Sequence, residues 1–182
     1  MGNDVCLKEP ETGGQTTPNN HPTLIRAKTS KKDAEIKMLK STIIESHNNL
    51  RKKHNAPELT EDPKLSEIAD EYANNLLNNE SGKENIYKGK IFGENVFISE
   101  NKDIKYVKEI FKKWEDEGNN YDYDKSKYTK DASHFTQIIW KETKQIGIGF
   151  SQDEGNKKYY FVFLYYPPGN TLGEFSKNVS KE

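Results

Sequence analysis

The chain has 182 residues with 28 basic and 29 acidic side chains, a formal net charge of -1, and hydrophobic residues make up 32% of it. That length suits one domain with a tail; no run of about 18 apolar residues exists, which excludes a membrane-spanning helix, and the balanced charge argues against a general nucleic-acid binder. Apolar content is well below the usual level, so the expected core is small and aromatic, drawn from 10 Tyr, 8 Phe and 2 Trp, each of which buries a large area.

The chain opens Met1-Gly2-Asn3-Asp4-Val5-Cys6 with no apolar stretch behind it, so no signal peptide is expected. This start approximates the N-myristoylation pattern, which wants Gly2 and a Ser or Thr at position 6. Cys6 stands there instead, a thiol that could carry a second acyl chain; one chain anchors marginally and two anchor stably. Cys6 is the single cysteine. An intramolecular disulfide and a multi-cysteine zinc site are therefore excluded, and the count leans toward an intracellular chain. Residues 1–32 carry Pro10, Gly13, Gly14, Pro18 and Pro22 among Thr and Asn and are expected to form a flexible tail. At its end, Arg26, Lys28, Lys31 and Lys32 could support a lipid anchor on an anionic leaflet.

From Asp33 the pattern changes. Ile36, Leu39, Ile43, Ile44, His47, Leu50 and His54 recur at helical spacing and predict a long amphipathic helix. A second helix is predicted from Pro63, capped by Asp62 and ending in the turn-forming stretch 78–82. Residues 83–90 read as a loop, and Ile91 to Ile98 as a strand broken at Gly93-Glu94-Asn95. Ile104, Val107, Ile110, Phe111 and Trp114 mark a third helix, residues 118–133 a long loop, and Phe135 to Trp140 a short helix. Ile146, Ile148 and Phe150 alternate as a strand. Lys158 to Tyr166, nearly continuous in aromatics, predicts a strand buried on both faces, with residues 151–156 as the hairpin between the two. The order predicts an α+β fold, a three-layer α-β-α sandwich, spanning residues 33–176, with 177–182 as a short C-terminal tail.

Several stretches together carry a family resemblance. Ser133-His134-Phe135-Thr136-Gln137-Ile138-Ile139-Trp140-Lys141-Glu142-Thr143 resembles the first signature of the CAP superfamily (cysteine-rich secretory proteins, antigen 5, pathogenesis-related 1). Phe161-Val162-Phe163-Leu164-Tyr165-Tyr166-Pro167-Pro168-Gly169-Asn170 resembles the second. His47-Asn48, Arg51 and His54 are similar to the family's opening helix, Gly93-Glu94-Asn95 to its Gly-Glu-Asn motif, and Trp114 with Glu117 to its third-helix pair. The matches are collinear over about residues 36–172. Phe163 stands where the second signature normally has a cysteine, and Ser133 where the first normally has Gly or a charged residue. Missing cysteines are typical of the intracellular branch, whose members the resemblance implies to be myristoylated, to bind acidic lipids and to form homodimers.

The resemblance also implies a cavity with two His and two Glu. By residue match, Glu94, Glu117 and His134 are present; the other His should fall near Lys83 or Glu84, and no histidine lies between His54 and His134. One imidazole and two carboxylates could hold a weakly bound divalent cation, shifted from zinc toward harder ions. Glu84, a further candidate for lining the cavity, would favour magnesium or calcium, although Lys83 beside it opposes any cation. Against this stands the plainer expectation that Glu94 and His134 are partly buried polar groups paired with each other and the backbone.

Enzymatic motifs are wanting: no Gly-x-Ser-x-Gly, His-Glu-x-x-His or phosphate-binding glycine loop occurs. His47 and His54 share a helix face, too far apart to chelate one metal and suited to packing or capping. Asn79-Glu80-Ser81 and Asn178-Val179-Ser180 fit the glycosylation pattern. The favoured function is a non-enzymatic, cofactor-independent CAP domain at the cytoplasmic face of membranes such as the Golgi. Acidic phospholipid or sterol, a second copy of the chain and an unidentified protein are its expected partners, and nucleic acid is not. The rival readings are a secreted CAP effector without a recognisable signal and a metal-dependent hydrolase.

Overall fold

The computed structural model describes residues 21–78, 86–87, 90–100, 104–153, 155 and 158–182, with side chains described from Ala34 onward save those of 79–90, 101–105, 154 and 156–157. The chain divides into two units, Met1–Glu35 and Ile36–Glu182. The second unit holds the sheet, the cores and the candidate site, and everything below concerns it except the start of the first helix.

Helix α1 (His21–Lys53) begins twelve residues before the expected Asp33. Residues 21–32 are thus helical where a flexible tail was expected. Pro22 falls in the first turn, where its missing N–H costs nothing, and extension from an established helix adds one hydrogen bond for each residue ordered. Ile43, His47, Leu50, Arg51 and His54 are buried in one stripe along its C-terminal half and just beyond. The helix stops at Asn55, whose φ of 55° is left-handed. There the Ala56 N–H reaches back to the Arg51 carbonyl at 3.0 Å, a closure that spends the last free carbonyls.

Strand β1 (Thr60–Glu61) leads into helix α2 (Pro63–Leu77). Asp62 caps α2 as expected, its carboxylate accepting from the Lys64 and Leu65 amides at 2.9 and 3.0 Å. A small ladder of β2 (Ile86–Tyr87) and β3 (Lys90–Ile91) follows, inside the stretch expected to be a loop. Strand β4 (Gly93–Ser99) is continuous; Gly93-Glu94-Asn95 starts this strand rather than breaking it, because all three residues pair with the last strand. Then come α3 (Ile104–Asp116), 3-10 turns at Glu117–Asn120 and Lys130–Ala132, and α4 (Ser133–Ile138). Strands β5 (Gln145–Asp153) and β6 (Lys158–Tyr166) form a hairpin shorter than expected, paired out to Asp153 and Lys158. Helix α5 (Phe175–Asn178) closes the described order.

The main sheet has the order β1-β5-β6-β4, parallel only between β1 and β5. β6 is central and buried on both faces. Phe161, Phe163 and Tyr165 point toward α1, α3 and α4, while Tyr160, Val162 and Leu164 point toward α2. This is the expected three-layer α-β-α sandwich. Helix α2 lies so close to β5 that a Cβ on Gly149 would sit 2.0 Å from the Ala69 carbonyl oxygen. Past β1, side chains of α2 serve the exposed edge of β5: the Ile148 and Phe150 amides donate to Ser66 Oγ and Asp70 Oδ1 at 3.1 and 2.9 Å.

The C-terminal residues correct a second expectation. Asn178 is fully buried and Val179 nearly so, and the Asn178 amide bridges two backbones, accepting from Glu142 N at 3.0 Å and donating to Glu174 O at 3.0 Å. Within 177–182, expected to be a tail, Asn178 and Val179 are anchored in the interior while Lys177, Lys181 and Glu182 are exposed, and the Asn178 sequon offers its amide to the protein interior, not to a glycan.

Candidate functional site

Glu117 follows directly on α3 and faces the start of α4. One carboxylate oxygen accepts from the His134 and Phe135 amides at 3.1 and 3.2 Å; the other accepts from His134 Nδ1–H at 2.8 Å. The pair joins α3 to α4, and the imidazole lies flat against Trp114, ring centres 5.1 Å apart and 12° from parallel. His134 Nε2 is the ring nitrogen left over, on a side chain 38% exposed.

Glu94 does not join them. Asn95, next to it on β4, points toward α4, donating from Nδ2 to the His134 carbonyl at 3.3 Å and to the Tyr165 hydroxyl at 3.2 Å. Because neighbours on a strand alternate faces, Glu94 projects on the α2 side, opposite Leu164 in the register. There the Tyr72 hydroxyl donates to it. Partial desolvation raises its pKa above the usual carboxylate value, and the Tyr72 hydrogen bond works against that rise. The expected pairing of Glu94 with His134 is therefore replaced by Glu117 with His134. Glu84, Gly2 and Cys6 lie outside the described residues.

These positions test the fit of a divalent ion. Among the described residues no three His, Cys, Asp or Glu side chains converge as a metal-binding group. Of the three ligands the resemblance implies, one lies across the sheet, and the carboxylate of another is already engaged by three N–H groups. Among the described residues, the side chains do not fit a zinc or magnesium centre.

Beneath the pair runs a buried polar network. His47 is fully buried; its Nδ1–H donates to the Ile43 carbonyl at 2.9 Å, and its Nε2 accepts from the Tyr165 hydroxyl at 2.8 Å. Burial, with the Arg51 charge adding to it, pulls the His47 pKa down to about 3 against the opposing hydrogen bond that the ring donates to the Ile43 carbonyl, so the ring is neutral at physiological pH. Burial also pushes the Tyr165 hydroxyl pKa well above its ordinary value. Arg51 is equally buried and makes no ion pair among the described residues. Its guanidinium donates to four carbonyls, those of Pro57, Ile138, Trp140 and Thr143, at 2.6 to 2.9 Å. Desolvation lowers its pKa to about 10. His47 and His54 thus pack and bond as expected. The sequence reading missed the role of Tyr165, whose hydroxyl was hidden in a run of core aromatics and meets His47 of α1, 118 residues away in the chain.

The motifs interlock through Gln137. Its Oε1 accepts from the Gly169 amide at 3.0 Å, and a Cβ on Gly93 would sit 2.1 Å from that same oxygen. The Gly-Glu-Asn glycine is small because Gln137 occupies the space beside it.

Between α1 and α3 lies a groove of about 360 Å3. Leu50 and Phe111 contribute apolar lining; Thr42, Ser46, Asn49, Lys108 and Lys112 contribute polar lining. Sequence reasoning passed over it, although Thr42, Ser46, Asn49 and Lys53 repeat at helical spacing beside the buried stripe.

Comparison with known proteins matches residues 44–165 to the model of the cysteine-rich secretory protein family (CAP). The chain is 29% identical over 147 residues to the human Golgi-associated plant pathogenesis-related protein 1, an alignment covering 79% of this chain and 93% of that one. It is 28% identical to Protein PRY2 of Saccharomyces cerevisiae over 76% of this chain, but spans 40% of that relative's length. Among solved structures it resembles venom allergen-like protein 4 of Schistosoma mansoni, with TM-score 0.57 and 21% identity, covering 78% of this chain and 92% of that one. It also resembles NaASP2, crystallised with Zn2+, with TM-score 0.51 and 20% identity, covering 78% and 85% of the two chains. At such identities these two likenesses speak for the fold alone.

Proposed function

The chain belongs to the cysteine-rich secretory protein (CAP) family, and from there we propose that it is a non-enzymatic binding module acting at the surface of an internal membrane. The observation that carries the non-enzymatic part is the engagement of the polar groups. Covalent or hydrolytic chemistry needs a nucleophile beside an unoccupied base, or a metal-held water. Here Glu117 is committed to the start of α4. The Thr136 hydroxyl, two residues beyond His134, donates to Asn170 Oδ1 at 2.6 Å. Asn170 in turn donates to the Ser133 carbonyl at 2.9 Å. These bonds hold α4 and the loop after β6 together, and among the described residues they leave no aligned nucleophile and base.

Membrane association draws support from the match, over 79% of this chain, to a relative named for the Golgi, and from Gly2 and Cys6, which offer sites for two acyl chains. No helix among the described residues is long and apolar enough to cross a membrane, so attachment would be peripheral. Acidic phospholipid or sterol is the proposed ligand, with a second copy of the chain and another protein as further partners.

The test is vesicle co-sedimentation of the full chain, produced with and without an N-myristoyltransferase, on phosphatidylcholine, phosphatidylserine and sterol-containing vesicles. The acylated chain sediments with phosphatidylserine vesicles, and Gly2→Ala removes most of that binding. A chain that stays in the supernatant in every arm overturns the proposal.

A further inference from the structure

The main sheet has two outer edges, and α2 closes one of them. On β5, past the short β1, the outward backbone groups fall at alternate residues, and α2 meets them at intervals of four. The Asp62 N–H donates to the Ile146 carbonyl at 2.9 Å; the Ile148 and Phe150 amides donate to Ser66 Oγ and Asp70 Oδ1. The helix stands where another strand would otherwise pair.

The β4 edge has no such guard. Gly93–Ser99 pairs with β6 residue for residue, without a bulge. Every second residue of an antiparallel strand turns its N–H and C=O away from that neighbour. Among the described residues, nothing bonds to those outward groups between Gly93 and Ile98. Gly93-Glu94-Asn95-Val96-Phe97-Ile98-Ser99 contains no Pro or Lys, and Glu94 is its one charged residue; Pro, Lys and bulges are the usual means of blunting an open edge. Helix α2 packs on β6 and β5, so on its side of the sheet Val96 is half-buried and Ile98 is 57% exposed.

We propose that β4 pairs with β4 of a second copy about a two-fold axis beside Val96, joining two four-stranded sheets into one. A two-fold axis makes the pairing antiparallel and self-complementary. On the α2 side, Val96 then faces Val96 of the second copy, and Ile98 faces its Glu94. The strand suits itself in this register. Each exposed isoleucine gains a cross-strand neighbour. The two Glu94 residues stay four positions apart along the strands, about 13 Å, beyond the about 8 Å over which exposed charges act in physiological salt. A single strand pair belongs to the small, transient class of interface, so the dimer is weak. The proposal rests on a second copy being a partner and is independent of membrane binding.

Sedimentation velocity of the full, unacylated chain from about 10 µM to about 1 mM tests it, the range in which such interfaces dissociate. The wild type is expected to pass reversibly from monomer to dimer, and the outward β4 amides to gain hydrogen-exchange protection as concentration rises. Val96→Lys and Val96→Glu each place like charges across the axis and weaken association about tenfold; an equimolar mixture of the two variants restores it. Should either variant fail to fold, the concentration dependence of the wild-type β4 amides decides by itself. A wild type that stays monomeric across the range overturns the pairing. A dimer indifferent to both variants, or one that mixing does not restore, keeps the second copy as a partner and overturns this surface.

Discussion

The two faces of the sheet are built by different means. On the α2 face the helix approaches β5 through small residues: Ala69 and Ala73 are fully buried, Gly147 and Gly149 lack side chains, and polar groups of α2 bond straight onto the strand edge. On the other face α1, α3 and α4 stand off on large rings. Trp114, Phe111, Phe97, Phe135 and Phe163 interlock there, around a polar set buried without counter-charge. A face built on backbone contact tolerates no added atom. A face built on rings has room for a polar interior, and pays by having every donor and acceptor in that interior matched. In a chain this lean in apolar residues, the second solution lets Arg51 and His47 do work that hydrophobic side chains would do elsewhere.

Substitutions break the contrast in graded fashion. The largest effect is expected from Arg51→Met. It removes four hydrogen bonds to carbonyls, of which that of Trp140 keeps the Thr143 amide as a donor, and should cost about 4 kcal/mol, seen as an earlier urea midpoint at unchanged slope. Gly149→Ala on the opposite face places a methyl against the Ala69 carbonyl and should cost about 2 kcal/mol by overpacking. An effect below about 0.5 kcal/mol would mean that α2 slides freely and that the faces are alike.

Acid should separate the faces as well. His47 has a folded pKa of about 3, below the usual unfolded value of about 6.5. Between those values the unfolded chain binds a proton that the folded chain refuses. The His47 contribution is therefore whole above pH 6.5 and is lost as pH falls toward 3, with a slope of at most about 1.4 kcal/mol per pH unit. Thermal melts of wild type and His47→Gln between pH 7 and 4 measure it; parallel curves would contradict the buried neutral ring. Asp62→Ala removes the α2 cap and should cost about 1 kcal/mol. Lys112→Ala, breaking exposed pairs with Glu115 and Asp116, should leave the urea midpoint essentially unchanged, since such pairs are screened by water and salt.

Much of this architecture was legible in the residues. The stripe Ile43, His47, Leu50, His54 reads as a helix face, Asp62-Pro63 as a helix start, and the aromatic run of β6 as a strand buried on both sides. The illegible parts share a cause. Residues 177–182 look like a tail because their anchor, Asn178, is a polar residue whose partners, Glu142 and Glu174, lie elsewhere in the chain. The extension of α1 back to His21 defied a composition that reads as irregular. Glu94 looked like a partner of His134 because motif matching records which residues are present and not which way a strand turns them.

The amino-acid sequence by itself determined the family, the layer order and the candidate polar residues, because periodicity and local motifs are properties of short stretches. Only the tertiary structure decided which of those residues meet. The β4–β6 register turns Asn95 toward α4 and Glu94 toward α2, and Glu117 takes the bond to His134 that Glu94 was expected to make. A strand shows alternate residues to opposite layers, so one step along the chain moves a carboxylate from one core to the other.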